Sequence, residues 1–435
     1  MKGNYIFVFG SICGVGGGQL YLLRKASYLQ KKGWNVLIIT ADVDDTLVSG
    51  LLNFNLLEVK EVSFPIFYFR KRKIKHILNK IIKWIDIYQN SKLPFIIESQ
   101  ELNEIFWGEI LAKTLHAPNF VYIISRPQLK NLGKTYRDIY MFKARNNECI
   151  GVSEKTLEFL FEGINGSGNL KRNYFNISFS PEEFAENSFK FNRISDTIDD
   201  KSIIITTVSR LEKEYIPFLI ESVASIAKKN ISLKFTLLIV GGSAIYRKLK
   251  DFYENKYRNC AKNLKLIFTG WLYPLPKELF KKTDIFIGMG TAVINSISQG
   301  CPTICIDPRS LKSAGILGID LDNFAYNDIE KEKSIESELG NLINNKKLLE
   351  KSSKMGKKLY NEKYTNRIVL KNFLEFIINK QKEGHFEYFY SSIDDIARKN
   401  TIKHDLRYFI VRYLGINTLL KLSKLKGDLL ISLKR

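Results

Sequence analysis

The sequence predicts two doubly wound α/β domains, each a largely parallel sheet with helices on both faces, and a helical basic extension behind them. Three observations carry this. Short apolar, β-branched runs alternate with segments of helical period from residue 5 onward. Glycines recur where a strand gives way to a helix, and the alternation breaks once, near residue 190, before it restarts. At 435 residues, with 45% apolar and 26% charged content, the chain is globular and too long for one ordinary core.

Taken in order, residues 5–9 read as the first strand and are followed by Gly10, Gly14, Gly16, Gly17 and Gly18. A helix over residues 19–32 turns Leu20, Leu23, Ala26, Ser27 and Leu29 to one face, ends at Gly33 and hands over to a strand over 35–40. Strands over 56–62, 95–98, 120–125 and 148–152, with a helix over 102–114, complete a first domain of residues 1–178. Residues 181–201 are polar, their few apolar side chains too scattered to mark a face, and read as a linker.

The pattern restarts with strands over 203–208, 235–240 and 264–268 and helices over 216–229, 244–255 and 275–281, in a domain of residues 200–365. Its clearest stretch, residues 284–307, reads strand, glycine turn, helix, turn, strand. Gly288 and Gly290 allow the sharp turn, and a helix from Thr291 aims its free N–H groups into the space in front. Such a helix start suits phosphate. Gly300 and Pro302 end the helix before a buried strand over 303–306. Residues 366–435 form a crossover helix and a basic helical tail.

The net charge of +22 bears on partners rather than fold. Zinc-knuckle, basic-zipper and RNA-recognition signatures are absent, so an anionic membrane face is favoured over nucleic acid. Two segments suit it. Over residues 70–84, Arg70, Lys71, Arg72, Lys73, Lys75, Lys80 and Lys83 interleave with Ile74, Ile77, Leu78, Ile81, Ile82 and Trp84. Over residues 406–434, Tyr408, Phe409, Ile410, Tyr413, Leu414, Leu419, Leu420 and Leu422 alternate with Arg407, Arg412, Lys421, Lys424 and Lys426. The alternative is a solvated basic face over a buried stripe. No apolar run is long enough to span a bilayer, and the short apolar start reads as a strand rather than a signal peptide, so a cytoplasmic protein is expected. Five cysteines without paired spacing read as reduced and structural.

The N-terminal glycines fit G-x-G at Gly14 and Gly16, but the third glycine position is Gln19, which disfavours a dinucleotide site despite Asp42 and Asp44 further on. A flexible loop, Gly16 to Gly18, passing close to a sugar or phosphate in the interdomain cleft is preferred to a structural turn. In the second domain, Arg210 and Lys213 follow a strand, Gly241 and Gly242 end the next, and Gly270 with Trp271 ends the third. Cations there would neutralise a diphosphate, and the glycine-rich edge would seat a base. A surface ion pair of Arg210 with Glu212 or Glu214 is the competing reading. Glu98, Ser99 and Arg126, at strand ends of the first domain, would face the cleft as acceptor or sugar contacts; for Glu98 the alternative is a helix cap. His116 reads as a structural cap, and no carboxylate pair in the cleft suggests a metal site.

In order, GVGGGQLYLL, IGVSEKT, TVSRLEKEY, LLIVGGS, IFTGW and DIFIGMGTAVINSISQGCPTICID resemble the retaining nucleotide-sugar glycosyltransferases of the GT-B fold, in the family 4-like group that builds bacterial capsule and lipopolysaccharide glycans. The resemblance covers about residues 5 to 375. It implies that a nucleoside-diphosphate sugar of UDP or GDP type binds the C-terminal domain as co-substrate, with no other cofactor, and that an acceptor binds the N-terminal domain across a closing cleft. Carried over by position, Arg210 holds the diphosphate, Trp271 and Leu272 meet the base, and Gly290 and Thr291 face phosphate. Where that family has a lysine, this chain has Tyr215; where it has a ribose-binding glutamate, this chain has Asn295.

The expected activity is therefore metal-independent, retaining transfer of a sugar to a lipid-linked or glycan acceptor in surface polysaccharide synthesis, at the inner face of the membrane. Glu98, Arg210 and Lys213 are the candidate catalytic groups. Gly241, Gly242, Trp271, Leu272, Gly290, Thr291 and Asn295 would bind the donor, and Gly16, Gly17, Gly18 and Arg126 would line the acceptor side. A non-catalytic partner protein and a nucleotide-sugar epimerase of the same fold are the alternatives.

Overall fold

The computed structural model describes residues 2–43, 49–88, 93–100, 102–124, 128–186, 188–243, 245–324, 331–399, 406–416 and 418–419. The chain divides into two compact units. One is formed by Met1–Phe175 with Leu370–Arg435, the other by Asn176–Val369.

The first unit is built on β1 (Asn4–Phe9), α1 (Gly17–Lys31), β2 (Asn35–Thr40), β3 (Asn55–Glu58), α2 (Lys71–Tyr88), β4 (Phe95–Gln100), α3 (Glu104–Leu115), β5 (Asn119–Ile123), α4 (Lys134–Arg145), β6 (Cys149–Gly151), α5 (Glu154–Leu160) and β7 (Asn173–Tyr174). Its seven strands lie in the order β3-β2-β1-β4-β5-β6-β7, every neighbouring pair parallel. All six residues of the central β1 are buried, which is why all but the first, Asn4, are apolar or aromatic. The strand expected over 56–62 is shorter. After Glu58 the backbone winds into a 3-10 turn, Lys60–Ser63, that buries Val62.

The second unit contains α6 (Phe189–Ser195), β8 (Ile203–Val208), α7 (Tyr215–Lys229), β9 (Phe235–Val240), α8 (Tyr246–Tyr257), β10 (Leu264–Gly270), α9 (Lys277–Lys281), β11 (Ile285–Gly288), α10 (Thr291–Ser298), β12 (Thr303–Ile306), β13 (Ser313–Ile316), α11 (Ile335–Asn344) and α12 (Lys346–Lys363). Its sheet runs β10-β9-β8-β11-β12-β13, parallel except for the edge strand β13. The stretch expected as a linker is part of this unit. It holds a 3-10 turn at Pro181–Glu183 and α6, and Phe184, Phe191 and Ile198 are buried, with the ring of Phe184 5.0 Å from Phe179 and 5.2 Å from Phe280.

Helix α13 (Asn366–Lys382) carries the chain from the second unit back into the first, and α14 (Ile393–Lys399) and residues 406–416 belong to the first. The backbone N–H of Phe389 donates to Glu109 Oε1 at 2.5 Å, fastening this returning segment to α3. Glu109 and Glu148 share the buried ammonium of Lys143, and burial raises the Glu148 carboxyl above its ordinary range.

The basic segment over 70–84 is α2, and its apolar stripe is already covered. Ile74, Ile77, Leu78, Ile81 and Ile85 are buried in the core of the first unit, with Ile82 and Trp84 packed against it. The stripe of α2 is therefore taken up by the core; its exposed side is mainly basic, with Ile87 and Tyr88 exposed at its end. In the tail, Leu420, Lys421, Leu422, Lys424 and Lys426 lie outside the described residues. No helix among the described residues is long and apolar enough to cross a membrane.

Candidate functional site

Because β10, β9, β8 and β11 are neighbours and parallel, their carboxyl ends share one edge of the second sheet. Backbone bonds tie the loops beyond them together. Ser209 N–H donates to Val240 O at 2.8 Å, Leu211 N–H to Gly242 O at 3.2 Å, and Gly241 N–H to Gly270 O at 3.1 Å. Arg210, Gly241, Gly242 and Trp271 are thus assembled in one place.

Two glycines are dictated by close approach. Gly241 has φ +144°, and a Cβ there would lie 1.9 Å from Ser209 O. A Cβ on Gly242 would lie 2.1 Å from Trp271 Nε1, so the indole packs directly on the peptide backbone. The Trp271 carbonyl accepts from Lys190 Nζ at 2.8 Å, while the Leu272 side chain is buried.

Arg210 is half-exposed and 3.4 Å from Glu212 Oε1, so the surface pair expected as its competitor is present. Contacts of that kind contribute about 0–1 kcal/mol and leave a guanidinium open to a stronger anion. Lys213 N–H donates to Arg210 O at 3.2 Å, closing a turn that sets both cations just before α7. Tyr215 points the other way. It is fully buried, its hydroxyl 2.9 Å from Thr207 Oγ1, and burial raises its pKa.

At the end of β11, Gly290 caps α10 with φ 64° and ψ −143°, and the space a side chain would take there is open. Thr291 begins the helix, whose first N–H groups have no partners inside it. Its hydroxyls are satisfied inward: Ser296 Oγ lies 2.6 Å from Thr303 Oγ1, and Ser298 Oγ donates to Asn295 O at 2.6 Å. Asn295 is the exception. The residue is 5% exposed, and its Oδ1 has no hydrogen-bond partner among the described residues. Leaving a buried acceptor unmet costs about 1–3 kcal/mol, which a ligand hydroxyl would relieve.

In the first unit the structure corrects the expected role of Glu98. Strand β4 extends to Gln100, so Glu98 lies beside Phe7 of β1 rather than at the strand end. It is 3% exposed. It accepts from Tyr5 Oη at 2.5 Å and Tyr21 Oη at 2.7 Å, and pairs with Lys25 Nζ at 2.5 Å, so its carboxylate is engaged within the unit rather than in a helix cap. The Lys25 ammonium is also buried, 3.2 Å from the centre of the Phe373 ring, and burial lowers its pKa to about 8. The same burial raises the hydroxyls of Tyr5, Tyr21 and Tyr122.

The helical face of α1 therefore differs from the one expected. Tyr21, Leu22, Lys25, Ala26 and Leu29 are buried, while Leu20 and Leu23 are only half-buried. Helix α1 also starts earlier than expected, with Gly16 at its N-cap and Gly17 and Gly18 in its first turn, so only the residues before Gly16 form a loop. Gln100 Oε1 accepts from Gly10 N–H at 2.9 Å, and Gln19 Nε2 donates to Ser11 O at 3.0 Å. Arg126 and Asp44 lie outside the described residues. His116 ends α3 in the left-handed conformation, φ 51°. Among the described residues no group of three or more His, Cys, Asp or Glu is placed to hold a metal ion.

Sequence reasoning missed Lys25, which lies on the buried stripe four residues after Tyr21 and carries no local sign of its partner. It also missed Lys190, hidden in the supposed linker, and Tyr246, whose hydroxyl donates to Phe268 O at 3.1 Å beside Gly270.

Residues 188–359 match the family Glycosyl transferases group 1, and residues 12–150 match Glycosyl transferase 4-like. No curated protein sequence matches the chain. Among solved structures, a glycosyltransferase from Rickettsia africae is 15% identical with a TM-score of 0.65, covering 88% of this chain and 99% of its own. Anabaena HepE in complex with UDP is 13% identical with a TM-score of 0.62, covering 87% of this chain and 100% of its own. A trehalose-6-phosphate structure from E. coli, bound with UDP-2-fluoro glucose, is 11% identical with a TM-score of 0.57, covering 87% and 99%. At these identities the structural likeness is one of fold. With one glycosyl transferase family on each of its two Rossmann-like units, the chain is a glycosyltransferase of the GT-B fold.

Proposed function

We propose that this glycosyltransferase binds a nucleoside-diphosphate sugar at the carboxyl edge of its second sheet and transfers the sugar, with retention, to a lipid-linked or glycan acceptor in bacterial surface polysaccharide synthesis. The observation that carries the donor site is Asn295: a buried amide oxygen without a partner among the described residues, one turn into a helix whose open N-terminus lies on the same edge as Arg210 and the Gly242–Trp271 contact. UDP is the preferred nucleotide, since HepE was crystallised with UDP and with UDP-glucose.

In this reading the bond from the anomeric carbon to the diphosphate breaks, and one from the acceptor oxygen forms on the same face. The acceptor proton passes to the departing diphosphate. Arg210, Lys213 and the N–H groups at the start of α10 take up the negative charge that develops, which is the main demand such a transfer places on protein groups. The acceptor is assigned to the first unit. The excess of positive charge supports a site of action at the inner face of the membrane.

Thermal unfolding with UDP and with GDP tests the donor site. UDP raises the melting temperature of the wild type and leaves Arg210→Ala unchanged. If neither nucleotide stabilises the wild type, the site is wrong. Transfer from UDP-sugars to membrane extracts then separates transfer from epimerisation, which changes the sugar without any acceptor.

A further inference from the structure

We propose that the first unit docks on an anionic lipid surface through a groove between the start of α2 and residues 411–416, with Phe409, Tyr413 and Leu414 entering the headgroup layer. This rests on the membrane placement proposed above and gives it an address. The two basic segments, separated by more than three hundred residues of sequence, form one surface.

The local cause is a change of winding. After a short α-helical turn, Leu406–Phe409, the chain passes into a π-helical turn, Ile410–Leu414, and stops at Gly415 with φ 85°. Tyr408, Ile410 and Val411 are buried, and the ring of Tyr408 lies 5.8 Å from Tyr68. On the outer side Phe409 is 45% exposed, Tyr413 59% and Leu414 65%. Phe409 and Tyr413 stack 6.0 Å apart, and Arg70 lies 5.2 Å from the centre of the Tyr413 ring, which joins the turn to the start of α2. Tyr413 and Leu414 stand more than half in solvent beside cations, and Phe409 stacks on Tyr413.

The groove itself, of about 800 Å³, is lined by the cations Lys60, Arg70, Lys73, Lys80 and Arg412 and by two carboxylates, Glu58 and Glu61. Glu61 is already paired with Lys73 at 2.8 Å. The exposed face of α2 continues the positive field through Arg72 and Lys75. Cations that can meet phosphates, around an aliphatic and two aromatic side chains that can enter the acyl boundary, match an anionic bilayer in both layers of its chemistry. A nucleic acid would use the cations but gain nothing from Leu414.

Sedimentation of the full chain with vesicles of mixed phosphatidylglycerol and phosphatidylcholine, and with phosphatidylcholine alone, tests this. The mixed vesicles bind the protein, less so at high salt, and the neutral ones do not. Arg70→Ala with Arg412→Ala reduces the partition about twenty-fivefold, since each basic residue at such a surface contributes roughly a factor of five. Tyr413→Ser with Leu414→Ser also lowers it, with little change in melting temperature, because both side chains are already more than half in water. Equal binding to neutral vesicles, or mixed-vesicle binding that neither pair of substitutions weakens, overturns the proposal; so does binding by an acidic protein alone. The readout is partition rather than transfer, so it reports on docking whether or not UDP binds the second unit.

Discussion

Trp271 lies flat enough on Gly242 that a methyl group added to the glycine would sit 2.1 Å from the indole nitrogen. The Gly242 carbonyl also holds the Leu211 N–H, so this one peptide connects the tryptophan to the loop bearing Arg210. Gly242→Ala is expected to push Trp271 aside and to abolish UDP stabilisation while the protein stays folded. Gly241→Ala, at φ +144° against the Ser209 carbonyl, is expected to lower stability by about 1–3 kcal/mol. Chemical denaturation with and without UDP distinguishes the two.

Replacing Asn295 separates stability from binding. Asn295→Leu removes a buried acceptor that has no partner among the described residues, so the free protein should become more stable by about 1 kcal/mol or more. The same change should weaken UDP-sugar binding. A variant that is less stable and binds the nucleotide normally would mean that the amide serves the fold.

The Lys25–Glu98 pair predicts a large loss. Lys25→Met leaves a buried carboxylate without its cation and should cost about 3–5 kcal/mol. Adding Glu98→Gln removes the stranded charge and keeps one acceptor oxygen for one of the two tyrosine hydroxyls, while the amide NH2 can donate to the other, so the double variant should recover part of that loss in urea unfolding.

Alkaline pH should act through the buried thiols. Burial pushes Cys149, Cys301 and Cys305 up to about 12 in the folded protein, against about 8.5 when unfolded. A raised folded value means that stability is complete below pH 8.5 and falls as pH rises, because the unfolded thiol releases its proton first. Each thiol should lose about 1 kcal/mol between pH 8.5 and 9.5. Cys305→Ala should flatten the pH dependence of unfolding by that amount.

What the sequence disclosed depended on whether its signal was local. Strands β8, β9 and β12 are buried along most of their length, so their apolar runs marked them, and glycine and proline marked the turns of the α10 unit. The same residues brought Arg210, Gly242, Trp271 and Gly290 to one edge. Glu98 was misread because its partner Lys25 lies 73 residues away, and a buried ion pair looks like two surface charges until the strands align. Helix α2 was ambiguous for another reason: an apolar stripe has the same period whether it meets lipid or its own core. Phe184, Phe191 and Ile198 anchor backbone with no sustained period, which made a packed segment look like a linker.

The first unit is assembled from both sides of the second: α13 contributes Phe373 to the pocket around Lys25, and Phe389 fastens to Glu109. On the ribosome, residues 1–175 must wait for everything up to residue 390 before this core can close, whereas residues 176–369 have all their own strands earlier. The second unit can finish folding first although it comes later in the chain. The buried Lys25 and Glu109 clusters are then completed only by residues 370–435, and a truncated product would leave charged groups of the first unit without their cover.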